Sequence, residues 1–598
     1  MDKRSFLAIA VTFVILLAWQ ILYLGPRQKE VTARRSAAMV EKARADSIAA
    51  TERRGDETRA EAAEGDTAGA ADSTEGVGTN AAPPESADFF ANDPGTREKI
   101  ITVDTGRMIV SLTSRGAEIS SVRLPGFEKP AGGAVELVPV GARGGMALAV
   151  EKDGEWKSFS ETIFDLTING RPATGGEEIV LSEGEPRAEI LFSKRGGGGE
   201  AVDKRFVFSR DAGDAELTVA MERNGELART AGYAVSWEPG LALNEKNEKQ
   251  EKQKIASLGR VGDEYYKEDT GKFAKTGMFE HDGTVFWGAA RSRYFISALI
   301  PGAQRSGTLV TTGDRAAGKT GYSLRYPFRG DPERVEESFR CYFGPQEMDA
   351  LKGYGVGLEK AIDLGHMRFF SVPVLKMMTW MYRFIPNYGW IIIILSILTK
   401  VVFYRLTHKS LKSMKDMQKL QPKLKEIQEK YKNDKQKLNQ ETMRMYKESG
   451  VNPLGGCLPL LLQMPVFIAL FNVLSNMVEL RGAPFALWIN DLSMPDALFD
   501  FGLNLPLLGS EFRLLPILMG AAMVVQSRMG GGDLPNAQTK MMQWMMPIVF
   551  TFVFYGMPSG LVLYWLVNNV LSIVQQYYVH KAIDAEEKAA GEAASPAE

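Results

Sequence analysis

The chain has 598 residues, too many for one core, and its formal charge of −2 gives no global attraction to nucleic acid. Two cysteines exclude a disulfide framework, and four scattered histidines (His281, His366, His408, His580) show no metal-ligand spacing. The 45% hydrophobic content averages unlike parts: residues 27–96 have few large apolar side chains, and residues 388–579 are dominated by them.

Residues 6–24 form the apolar run FLAIAVTFVILLAWQILYL, 19 residues long. At about 1.5 Å per residue it reaches across a bilayer core of roughly 30 Å. No small-x-small cleavage site closes it, so residues 1–25 read as an uncleaved anchor. Residues 26–96 are rich in Ala, Glu, Arg, Gly, Thr and Asp and read as a flexible tether, because they have little apolar surface to bury.

The pattern changes at Lys99. The stretch KIITVDTGRMIVSLTSRGAEISSVRL alternates, and short β-rich runs recur at 190–192, 205–209, 215–221, 233–239 and 284–290. Gly, Asp and Asn punctuate them, so residues 97–345 are predicted to form an antiparallel β-sandwich. The run 245–254, alternating Lys and Glu, reads as a solvated loop or short helix. Residues Gly313-Asp-Arg-Ala-Ala-Gly318-Lys319-Thr320 fit a phosphate-cradling pattern. The pattern needs a helix after it, and the following Gly-Tyr-Ser-Leu-Arg-Tyr-Pro-Phe alternates like a strand, so a hairpin loop is expected there.

Residues 346–387 form a linker ending in an amphipathic stretch, 369–385, that suits a bilayer surface. Five candidate spans follow: 388–406, 453–478, 512–526, 541–557 and 560–579. With the anchor they make six. Residues 405–450 carry thirteen Lys or Arg against six acids, whereas loop 479–511 holds Arg481 as its one cation. The positive-inside rule therefore places the hairpin 407–450 in the cytoplasm, residues 97–345 outside the membrane and both termini, with the tail 581–598, inside. That hairpin reads as two helices meeting near Asn433-Asp434. It is a solvated charged pair, or a surface whose methionines (Met414, Met417, Met443, Met445) adapt to apolar clients.

The later spans are short enough to thin the bilayer around them. Polarity is concentrated within the spans. Ser396, Lys400 and Thr407 fall near one helical stripe, and Gln463, Asn472, Asn476, Gln526, Thr551, Asn568 and Asn569 lie on others. The spans contain no Asp or Glu, and Lys400 is their clear internal charge. A lysine there costs about 2.5–3.5 kcal/mol on insertion scales. Either Lys400 snorkels toward Arg405, or it stands in a wet pocket open to the cytoplasm that admits polar peptide. Pro453, Pro459 and Pro465 either kink a packed helix or free carbonyls toward cavity water.

Several segments then carry a family likeness. Asn452-Pro-Leu-Gly-Gly-Cys457-Leu-Pro-Leu-Leu-Leu-Gln463-Met-Pro465 resembles the signature of the YidC-type membrane protein insertases. So do Ala483-Pro-Phe-Ala-Leu-Trp488-Ile-Asn-Asp-Leu-Ser493, Leu515-Pro-Ile-Leu-Met-Gly520, Pro558-Ser-Gly-Leu-Val-Leu-Tyr564-Trp565 and Gln575-Gln576. Trp287-Gly-Ala289 and Tyr342-Phe-Gly-Pro345 resemble segments of the family's outer domain.

The resemblance implies an α+β fold: a polytopic helical bundle with a five-helix core, and a periplasmic antiparallel β-supersandwich. It implies a hydrophilic groove open to cytoplasm and lipid and sealed outside, with one cation, commonly arginine, where this chain has Lys400. Ser396 and Tyr564 fall at groove positions, Trp565 replaces a commoner tyrosine, and the tail lacks a basic run. The expected groove residues are thus Lys400, Ser396, Gln463, Asn472, Asn568 and Tyr564. The expected role is insertion and folding of nascent integral membrane proteins in the inner membrane, with lipid as surroundings and Sec translocon components and the ribosome as candidate partners. Ribosome contact would fall to loops 405–450 and 527–540. No cofactor, metal or enzymatic reaction is expected. Two rivals remain at this level. A secondary transporter would carry membrane carboxylates or an inverted repeat, and an anchor for the β domain would leave the polar stripe unexplained.

Overall fold

A computed structural model describes residues 88–92, 95–273, 276–330, 332–451, 458–505, 509–531 and 537–594. The expected anchor 6–24, most of the tether, and residues 452–457 of the signature, with Cys457, lie outside the described residues.

The β domain opens with β1 (Ile100–Asp104), β2 (Ile109–Thr113) and β3 (Glu118–Glu128), paired antiparallel in sequence. β4 (Gly145–Lys152) follows. A meander comes next, made of β5 (Arg187–Arg195), β6 (Ala201–Ser209) and β7 (Asp214–Glu222). β8 (Thr230–Trp237) returns to pair with β4. Then come β9 (Ala256–Val261), β10 (Thr276–Arg291) and β11 (Phe295–Pro301). The last members are β12 (Arg305–Asp314), β13 (Lys319–Pro327) and β14 (Arg334–Pro345).

One sheet runs β4-β8-β13-β12 and continues into residues 276–285 of β10. The other runs β5-β6-β7-β14-β11 and continues into residues 288–291 of the same strand. The sixteen-residue β10 thus passes from one sheet to the other. Alternation puts aromatic rings between the two layers: Trp237 meets Phe343 at 5.4 Å and Tyr326 meets Phe339 at 6.4 Å, centroid to centroid.

The phosphate-loop look-alike is a hairpin. Gly313 pairs with Thr320 and Asp314 with Lys319, Gly318 turns the chain at φ +65°, and β13 follows where a helix would be required.

The helical part begins with α1 (Arg368–Tyr382), whose Leu375 and Met378 are buried while Phe369, Phe370 and Trp380 stay exposed. α2 (Tyr388–Val402) starts where the Asn387 side chain accepts from the Gly389 and Trp390 amides. It ends at Phe403, and α3 (Tyr404–Lys419) leaves at 67°. The expected continuous span 388–406 is therefore broken three residues before its end. The expected two-helix hairpin is three helices: α3, α4 (Gln421–Lys430), which starts with Pro422 in its first turn, and α5 (Lys435–Glu448), capped by Asp434. α6 (Leu458–Asn476), α7 (Leu514–Gly531), α8 (Ala537–Phe554) and α9 (Ser559–Ala594) complete the bundle. The last expected span and the tail up to Ala594 are one unbroken helix. Between α6 and α7 lies a hairpin of β15 (Phe499–Leu505) and β16 (Gly509–Phe512). Among the described residues no single helix is long and apolar enough to cross a membrane by length and hydropathy, while the bent pair α2 and α3 passes together.

The β domain is pinned to one end of the bundle by buried polar contacts. The Arg293 guanidinium donates to the Ser475 carbonyl at 3.0 and 3.1 Å. Arg481 Nε lies 2.7 Å from Glu245 Oε1, with 8% and 3% of the two side chains exposed. Asp363 faces Lys254, Arg291 and Lys267 at 3.3, 3.5 and 3.5 Å. Burial alone would raise the Asp363 carboxyl, but these cations offset it and hold it well below the usual carboxylate range. The run 245–254 is thus only partly solvated. Residues Glu248–Lys252 form a short helix, and the buried Glu251 carboxylate accepts from the Asn244 and Glu245 amides.

Candidate functional site

A cavity of about 230 Å³, with one polar wall and with Phe403, Leu406, Leu411 and Met414 on its apolar side, opens between α2, α3, α6, α7 and α9. The sequence of α9 explains much of its wall. Tyr564, Asn568, Ser572 and Gln576 recur every four residues and so share one helix face. Among these, Asn568, Ser572 and Gln576 line the cavity, together with Gln575. α2 contributes Thr399 and Lys400, α3 contributes Thr407 and Ser410, and α6 and α7 add Gln463 and Gln526.

A hydrogen-bonded ladder runs along this wall. Lys400 Nζ donates to Ser572 Oγ at 2.7 Å, and that hydroxyl donates to the Asn568 carbonyl at 2.8 Å. Gln463 Nε2 donates to Asn568 Oδ1 at 3.2 Å, joining α6 to α9. Asn568 Nδ2 donates to the Tyr564 carbonyl at 3.1 Å. No acid lines the cavity, so among the described residues the Lys400 ammonium meets a hydroxyl rather than a carboxylate. Two of its three donors remain for a guest or for water.

Other polar groups here lack a protein partner. Both amide atoms of Gln575 and the Oε1 of Gln576 are buried and unbonded among the described residues. Buried amides are hydrogen-bonded as a rule, and the cavity has room for several waters beside these two.

The expected site residues divide into three groups. Lys400, Gln463 and Asn568 line the cavity together. Tyr564 is fully buried behind it, its hydroxyl close to Thr399, Gln463 and Asn568 but without a well-aligned hydrogen bond. Ser396 and Asn472 are not brought to it. Ser396 is fully buried, and its hydroxyl bonds back to the Ile392 carbonyl at 2.8 Å. Asn472 lies nine residues beyond Gln463, about 13 Å along the helix. There its side chain packs where a Cβ on Gly365 would come within 2.4–2.9 Å, beside the β domain. The bend at Phe403 still leaves Thr407 on the cavity, though not on one straight stripe with Lys400. Ser572 went unread in the sequence, although the four-residue polar period of α9 points to it.

At the α3 edge of the cavity, which Leu411 and Met414 also line, α3 and α9 are clasped. Leu411 packs with Val579 and Ile583, with Met414 against them, and Lys415 bonds to the His580 carbonyl and the Asp584 carboxylate.

A cation-bearing cavity inside a largely apolar helical bundle, joined at one end to a large β domain, defines an α+β protein of two parts. The family model described as 60Kd inner membrane protein matches residues 380–587, and the model described as YidC periplasmic domain matches residues 100–377. The membrane protein insertase YidC of Prosthecochloris aestuarii is 35% identical over 518 residues, covering 85% of this chain and 87% of its own. That of Chlorobaculum parvum is 32% identical over 602 residues, covering 99% and 96%. A crystal structure of an active YidC insertase with its first transmembrane domain resolved is 20% identical and covers 80% of this chain and 95% of its own, with a TM-score of 0.36. The chain belongs to the YidC family of membrane protein insertases.

Proposed function

We propose that this chain inserts nascent integral membrane proteins into the inner membrane and helps them fold, alone or beside a Sec-type translocon. In this reading residues 6–24 and the five later segments span the bilayer. The β domain is periplasmic, and α3–α5 and both termini are cytoplasmic. The six residues first expected to form the groove reduce to Lys400, Gln463 and Asn568, with Tyr564 behind them. A client's polar segment enters the cavity from the α3 side, where the Lys400 ammonium and the amides of Gln463, Gln575 and Gln576 replace part of its water shell. The contacts of Arg293, Arg481 and Asp363 keep the opposite end shut. The client's apolar helix then leaves for lipid, driven by roughly 25 cal/mol per Å² of apolar surface removed from water. The membrane potential adds about 2.3 kcal/mol per charge per 100 mV. The single observation that carries the reading is the ladder from Lys400 through Ser572 to Asn568 on the polar wall of the cavity.

The test is reconstitution of the full chain in liposomes with a small single-span client. Wild type and Lys400→Arg are expected to insert it faster than empty liposomes, and Lys400→Ala more slowly than either. If none of the three exceeds empty liposomes, the reading fails.

A further inference from the structure

A second cleft, of about 770 Å³, shares Lys400 and Gln575 with the first cavity and lies between the α2–α3 bend and α9. Its walls are apolar: Ile397, Val401, Val402, Leu571 and Val574, with Val401 and Val402 each 66% exposed. Arg405 and His408 line it at the bend, and Lys400 lines it as well. No acid lines it, and Arg405 forms no ion pair among the described residues. Asp584, two residues beyond the lining residue Ala582, is held by Lys415. His408 Nδ1 is buried without a partner among the described residues. Tyr404 and Tyr578, both exposed, stand at the same level. Tyrosines are enriched where the bilayer meets water, so Arg405, with His408 beside it, sits at headgroup depth and the valines below them at acyl depth.

We propose that this cleft seats one anionic phospholipid of the leaflet away from the β domain. Its phosphate is held by Arg405 and His408, and one acyl chain lies along Val401, Leu571 and Val574. Guanidinium matches phosphate oxygens in a bidentate fork, and basic pockets between membrane helices suit such headgroups. Charge argues against a client helix as the occupant. Membrane helices carry their flanking Lys and Arg on the cytoplasmic side, where they would meet the Arg405 guanidinium.

The experiment is native mass spectrometry of the full chain released from nanodiscs of equal phosphatidylglycerol and phosphatidylcholine with identical acyl chains. Wild type is expected to retain one phosphatidylglycerol in preference to phosphatidylcholine. Arg405→Gln with His408→Gln should lower that retention by about fivefold or more, the worth of a single surface cation. Lys409→Gln with Lys412→Gln removes two exposed cations of α3 that do not line the cleft, and should leave retention unchanged. Equal retention of both lipids, no loss in the first double variant, or equal loss in both double variants overturns the proposal. So does a photo-crosslinker at position 574 that captures a client helix while no phosphatidylglycerol is retained.

Discussion

The ion pair between Arg481 and Glu245 offers a sharp test of how the β domain closes one end of the bundle. Both side chains are almost fully buried and meet at 2.7 Å, at the edge of a cleft that both of them line. Arg481→Met strands a buried carboxylate, which costs about 3–5 kcal/mol. It also removes the guanidinium from the Phe295 ring, 5.5 Å away, worth about 0.5–1 kcal/mol. Replacing both partners, Glu245→Met with Arg481→Met, removes the stranded charge, and about 1 kcal/mol from the lost ring contact remains. The readout is amide hydrogen exchange of the full chain in nanodiscs at Phe485, Ile489 and Leu492, whose backbone bonds tie the loop after Arg481. A local loss of about 3 kcal/mol accelerates their exchange by roughly 150-fold. The double variant should exchange at least tenfold more slowly than Arg481→Met alone. If Arg481→Met exchanges like wild type, or the double variant is as labile as the two single costs added, the buried pair does not hold this junction.

Three further outcomes follow from the same structure. The Asp363 carboxyl, held below its ordinary value of 3.8, stabilises the junction at every pH above about 4, and that stabilisation is lost as the pH falls further. Asp363→Asn should therefore melt lower than wild type at pH 7, and the difference should shrink toward pH 3. Lys204 is fully buried, and its ammonium donates to the Ala117, Met146 and Gly116 carbonyls at 2.6, 2.7 and 3.3 Å. It secures Ala117 and Met146 at φ +49° and +58°, so Lys204→Met should cost about 3 kcal/mol and lower the β-domain transition by roughly 6–12 °C in a calorimetric scan of the full chain. Gly389→Ala should loosen the start of α2, because its Cβ would fall 2.0–2.7 Å from Phe485 side-chain atoms; faster exchange at Phe485 and Ile489 is the expected reading.

Local signals in the sequence carried well where the partner was near in the chain or the period was regular. Strand alternation placed the β domain, the strand-like stretch after Thr320 exposed the false phosphate loop, and Lys400, Gln463 and Asn568 were legible as polar residues in apolar helices. Ser396 misled because a serine on an apolar helix can satisfy its hydroxyl on the carbonyl four residues back, which leaves it no role at the cavity. Asn472 misled because polarity does not tell which end of a helix a residue serves. The junction was illegible for a different reason. Glu245 and Arg481 lie 236 residues apart, and Arg293 and Ser475 lie 182 apart. No local pattern marks a glutamate within a Lys-Glu run as buried. The break at Phe403 was hidden because no proline or glycine marks it, and Tyr404 and Leu406 carry apolar character only a few residues past it.

Whether the cavity is wet and reached from the side away from the β domain is best read by cysteine labelling. The parent carries Cys457→Ser and keeps Cys341, which is buried in the β domain. Single cysteines are placed at Ser572, on the cavity wall beside Lys400, and at Ser396, fully buried and off it. A membrane-impermeant maleimide applied to the α3 side of oriented vesicles should modify Cys at 572 and spare Cys at 396. An inert 572, or a 396 that reacts as fast as 572, would contradict a hydrated cavity bearing the Lys400 cation.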